Sequence, residues 1–188
     1  RNVHTWWEAK NLFIIDIHGS PAAVVRQKGR SLSHFVSWMD GLRRNLPALI
    51  MAESNGMPSR FARLAADPGA ESEFEGVIKS LVRKLPVGWH LVQLDHGTNG
   101  VKPGLPPIGS LAKKEWRRPY HIYNWTGENW AGSALYMVSR AFLMQVPQMI
   151  HDYGFDMVDA YIDGRCAGSG TLRCFSVKVD HGDSAFAV

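Results

Sequence analysis

The residues best placed to do chemistry are Glu53, Ser54 and Asn55, a carboxylate, a hydroxyl and an amide that close the apolar run Pro47-Ala-Leu-Ile-Met-Ala52. The run is too short for a helix and reads as a buried strand. Open α/β sheets bind ligands outside the carboxyl ends of such strands, so any chemistry is expected to centre on Glu53. The plainer reading of the same residues is a strand running into a polar turn. Further acids follow at Asp156, Asp159 and Asp163. Asp156 suits the cap of a helical turn and Asp159 its first turn, where a carboxylate is favoured electrostatically. His34 stands beside an apolar stripe, either as a core histidine or as a ligand contact. The chain has no Gly-x-x-x-x-Gly-Lys phosphate loop, Gly-x-Gly-x-x-Gly turn, Gly-x-Ser-x-Gly elbow or His-Glu-x-x-His pair.

The elements that must position these groups follow from periodicity. Leu32, Phe35, Val36, Met39 and Leu42 recur at intervals of three and four, which predicts a helix over residues 31–44 capped by Ser31. Phe74, Val77, Ile78, Leu81, Val82 and Leu85 predict a second helix, with Ser72 and Glu75 as a capping box. A shorter helix is expected over 58–66. Strands are expected at 11–17, 47–52, 89–95, 120–125, 132–139 and 172–179. Ser139 is expected to cap a helix over 140–146, which Pro147 kinks or restarts. Residues 96–119, with four prolines, read as a long functional loop.

Composition narrows the class. With 188 residues and 45% hydrophobic content, one domain over 1–188 with a sizeable core is expected. No apolar run approaches the ~18 residues of a transmembrane helix. The net charge of +4 is mild, so the basic cluster of Lys113, Lys114, Arg117 and Arg118 suits a solvated loop or a phosphate contact better than a nucleic-acid surface. Exposed tryptophans among the seven would suit sugar stacking, though most are expected in the core. Cys166 and Cys174 are two thiols or one disulfide, and cannot make a four-ligand zinc site alone. Asn124-Trp-Thr126 fits a glycosylation acceptor, which with the cysteine pair suits a secretory lumen; a cytoplasmic location remains the alternative.

Taken together, the segments resemble a family. Arg30-Ser-Leu-Ser-His34 before an amphipathic helix resembles the Gly-Cys-x-Leu-Ser-His segment of glycosyltransferase family 25, which includes lipopolysaccharide and collagen galactosyltransferases. Leu49-Ile-Met-Ala-Glu-Ser54 falls where that family has Leu-Ile-Leu-Glu-Asp-Asp. Trp89-His-Leu-Val-Gln-Leu94 resembles its Trp-Asp-Leu-Leu-x-Leu strand, and Gly132-Ser-Ala-Leu-Tyr-Met-Val-Ser-Arg140 its Gly-x-x-Ala-Tyr-Leu-Val-Ser-Arg segment. Phe155-Asp156 stands at its Pro-x-Asp, and the order holds from about residue 30 to 184.

The resemblance implies an α/β, A-type glycosyltransferase fold: a mostly parallel mixed sheet flanked by helices, with the N-terminal strand-helix unit shortened or missing. It implies transfer of a hexose, galactose among the candidates, from a UDP-sugar to a hydroxyl of a glycan or protein acceptor, with inversion. Glu53, Ser54, Asn55, His34 and Arg140 would then contact the donor. Glu53, with His181 or Asp183, would hold a divalent ion (Mn2+ or Mg2+), and Asp156 or Asp159 would be the general base. The chain departs from the family where Ala52, Glu53 and Ser54 replace three acids. The alternative implied by that departure is an inactive relative that binds protein partners as a scaffold.

Overall fold

The computed structural model describes residues 21–52, 71–94, 104–111, 120–126, 135–154, 158–168 and 170–179. The expected elements at 11–17 and 58–66 lie outside them. In chain order the described elements are α1 (Pro21–Arg43), β1 (Ala48–Ala52), α2 (Glu71–Lys84), β2 (Leu91–Gln93), β3 (Gly109–Leu111), β4 (Tyr120–Asn124), β5 (Leu135–Ser139), α3 (Arg140–Tyr153), α4 (Val158–Asp163) and β6 (Cys174–Val179). A wider helical turn over Gly164–Gly168 continues α4.

The strands form one sheet in the order β1-β5-β2-β6-β4-β3. Among the described residues four of its five pairings are antiparallel and only β2 with β6 is parallel, so the expectation of a mostly parallel sheet is corrected. β1, β2 and β6 do run in one direction, but β5 inserts between β1 and β2 in the opposite one. Short apolar runs encode burial and not the identity of the neighbour, which is why the pairing was not legible locally.

The central strands β5, β2 and β6 bury both faces, and the alternation divides the interior into two cores. Leu49, Met51, Leu91, Tyr136, Val138 and Cys174 face α1, α3 and α4. Ile50, Val92, Leu135, Met137, Phe175 and Val177 face the α2 side, with Leu81 and Leu85. The first core is aromatic. Trp38 is fully buried, with Phe35 and Phe142 edge-on at ring-centroid distances of 5.0 Å each. Gly41 lets α1 approach closely, since a Cβ there would lie 3.3 Å from Leu143 and 3.4 Å from Leu49.

α1 begins at Pro21, ten residues before the predicted start. Ser31 therefore does not cap it. Its hydroxyl instead accepts the N–H of Val158 at 3.1 Å and so caps α4 across the interior. α1 ends in a Schellman turn: Leu46 donates to Gly41 O and Asn45 to Leu42 O, both at 3.0 Å, with Asn45 in the left-handed region at φ 59°.

α3 starts where predicted. The Ser139 hydroxyl accepts the N–H of Phe142 at 3.3 Å and donates to Trp89 O at 2.7 Å. Its other end differs, because α3 runs through Pro147 to Tyr153. An interior proline costs about 3 kcal/mol. Val146, Met149 and Ile150 are all buried on either side of it, and the surface they bury is worth more than that penalty.

Candidate functional site

Pairing brings four polar residues into one row across the sheet. Tyr136 on β5 faces Gln93 on β2, Gln93 faces Ser176 on β6, and Ser176 faces Tyr123 on β4. Their side chains share the face covered by α1, α3 and α4, because strand side chains two apart share a face and Leu91, Val138 and Cys174 lie in that core. The row stands toward the carboxyl ends of β1 and β2. Tyr136, Gln93 and Ser176 are almost wholly out of solvent.

Burial of this kind demands hydrogen bonds. The Tyr136 hydroxyl has them: it lies 2.5 Å from His34 Nδ1 and accepts the indole N–H of Trp38 at 3.1 Å. Trp38 donates to the phenol oxygen, and the imidazole tautomer sets which of Tyr136 and His34 donates across their contact. His34 is buried, and its ring stacks on that of Tyr136. Ser176 differs. Its Oγ is buried without a hydrogen-bond partner among the described residues. Such a hydroxyl costs about 1–3 kcal/mol unless a ligand or solvent meets it.

One rung along the sheet, Trp125 and the Cys166–Cys174 disulfide close the same face. The cysteine pair is thus bonded, with Cα atoms 5.3 Å apart. Facing the Trp125 indole stands Asp163, whose Oδ1 is buried without a hydrogen-bond partner among the described residues. Burial pushes its carboxyl above the ordinary value, against a smaller downward pull from the facing Trp125 indole. The indole N–H and the carboxylate face each other outside good hydrogen-bond geometry, since Trp125 Nε1 also lacks a partner of its own.

The expected site residues separate into four groups. His34 belongs to the buried row. Asp159 lies at the α1–α4 junction, held at two points by Arg30 (3.0 Å and 3.2 Å) and only partly exposed. A base there would compete with that guanidinium for its own lone pairs. Arg140 stands at the far end of β5, its N–H donating to Pro47 O at the start of β1, so it is not brought to the row. Glu53, Ser54, Asn55, Asp156, His181 and Asp183 lie outside the described residues, as does the cluster of Lys113, Lys114, Arg117 and Arg118. Among the described residues no three His, Cys, Asp or Glu side chains form a metal-holding group. None of the described helices is long and apolar enough to cross a membrane.

Gln93 and Ser176 were not singled out from the sequence, and Asp163 was named there only as one of three acids, without a role. The first two did leave a signal: each is a lone polar residue inside an apolar strand, in Leu91-Val-Gln-Leu94 and Phe175-Ser-Val177. Comparison with protein-family models, with curated proteins and with solved structures finds no match to this chain.

Proposed function

We propose that the chain is a glycosyltransferase of the family 25 type, with an A-type fold, moving a hexose from a UDP-sugar to a hydroxyl of a glycan or protein. The observation that carries this reading is that β1, β2 and β6 run in one direction, with the buried row of Tyr136, Gln93 and Ser176 toward the carboxyl ends of β1 and β2, the end at which parallel strands of α/β sheets present ligands. The period of the pleat adds support. Glu53 stands two residues after Met51 in the chain and Asp95 two after Gln93, the interval at which strand side chains share a face. Both positions lie outside the described residues, so this support is one of sequence period alone. In this reading the two carboxylates replace the acidic triplet that Ala52 and Ser54 interrupt.

In transfer, the acceptor oxygen attacks the anomeric carbon as the bond to the diphosphate breaks, and a base takes the hydroxyl proton. Asp163 suits that base better than Asp159, because its carboxyl is raised by burial and Arg30 does not occupy it. A bound divalent ion would supply neutralisation of the leaving diphosphate. Glu53 with His181 or Asp183 would hold it.

Calorimetric titration of UDP, with and without manganese, tests the reading. Micromolar binding that needs manganese and disappears in Glu53→Ala is expected. No binding by folded protein would overturn it. The second reading, an inactive relative used as a scaffold subunit, draws on the loss of two acids from the triplet, and would then lead.

A further inference from the structure

An open cavity lies at the opposite end of β1 and β5 from the buried row, and on the opposite face. It encloses about 760 Å³ between α2, the turn after it and the start of α3. Ala48 and Ser139, which pair with each other, line it; the row begins three pairs further along, at Met51 and Tyr136. That separates the two places by about 10 Å along the strands.

The cavity's chemistry is one-sided. Ile78, Val82 and Trp89 give it apolar walls, while Lys79, Arg83 and Arg140 bring three cations to it. No Asp or Glu lines it among the described residues. Arg140 is the first residue of α3, so the helix's positive end meets the same space. One guanidinium nitrogen of Arg140, Nη1, is buried with no hydrogen-bond partner among the described residues. The volume falls within the few hundred to ~1,000 Å³ typical of small-molecule sites.

We infer that this cavity is a second ligand site, which takes a small organic anion: a flat or branched apolar body carrying one carboxylate, sulfonate or phosphate. The body packs on Trp89, Ile78 and Val82, and the anionic head meets Arg140 and Arg83. The inference does not depend on the transferase reading and stands whether or not the chain binds UDP.

The test uses 1-anilinonaphthalene-8-sulfonate, which has both parts, and its neutral counterpart N-phenyl-1-naphthylamine, which lacks the sulfonate. Fluorescence titration of the full chain is expected to give one sulfonate per protein, with the neutral probe bound at least tenfold more weakly. Arg83→Gln and Arg140→Gln should each weaken the sulfonate about five- to tenfold and leave the neutral probe unchanged. Saturating UDP should not displace it. Arg83 is exposed on α2, so its variant reports even if Arg140→Gln fails to fold. Equal affinity for both probes, several sulfonates per chain, or undiminished sulfonate binding in folded Arg83→Gln would overturn the inference. Displacement by UDP would also do so, since the two sites would then be one.

Discussion

Tyr136 holds two buried donors and acceptors together through one oxygen. Removing that oxygen in Tyr136→Phe breaks the contacts to His34 Nδ1 and Trp38 Nε1 on the buried face of the sheet. The expected loss is about 2–3 kcal/mol of unfolding free energy, read from denaturant titration. Ser176→Ala should behave in the opposite way. Its Oγ makes no hydrogen bond to a described residue, so its removal should leave stability unchanged or raise it by up to about 1 kcal/mol. A loss of stability would mean the hydroxyl has a structural partner and does not await a ligand. His90 supplies a pH dependence. Its Nδ1 accepts the N–H of Arg173 at 2.9 Å, which fixes the neutral ring, and Nε2 lies 2.7 Å from the Gln145 amide. Burial, then the Arg173 charge, holds its pKa below the ordinary value of 6.5. The unfolded chain therefore binds this proton at a higher pH than the folded one. The contribution is complete above about pH 6.5 and is lost as pH falls through that value toward the depressed one. The melting temperature should drop between pH 7.5 and 5.5, and less so in His90→Asn, which keeps an acceptor near Nδ1 and does not titrate.

At the scale of elements, what the sequence disclosed depended on whether the cause was local. The stripe of Ile78, Leu81 and Leu85 and the cap at Ser139 act within a few residues, and both helices stand where they imply. Pro147 was misread because the burial of Val146, Met149 and Ile150 outweighs a local cost that sequence does show. Ser31 was misread for a related reason: a capping residue finds its N–H on whichever helix end lies near, here that of α4, 127 residues away. The disulfide ties the turn after α4 to the first residue of β6 and so holds one wall of the buried row in place. Closing a loop of eight residues' separation is worth about 2–3 kcal/mol in the chain-entropy account. Reduction, or the double change Cys166→Ser with Cys174→Ser, should lower the unfolding free energy by about that amount. An unchanged denaturation midpoint would show that the bond does not constrain the chain.

Across the whole molecule, one sheet covered on both faces separates two places with different chemistry. The helix-covered aromatic face holds a neutral polar row beside a carboxylate raised by burial. The α2 face, at the other end, holds an apolar cavity ringed by cations. The row was the harder to read from sequence, because Gln93, Tyr136 and Ser176 meet only through the order in which three distant strands pair. The most direct test of the central claim is the set of backbone amide shifts of this 21.0 kDa chain, recorded by nuclear magnetic resonance as UDP and manganese are added. The largest shifts should fall at Gln93, Tyr136 and Ser176, with Ile78, Val82 and Ala141 unmoved. Shifts confined to the cationic cavity, or no shifts at all, would contradict it.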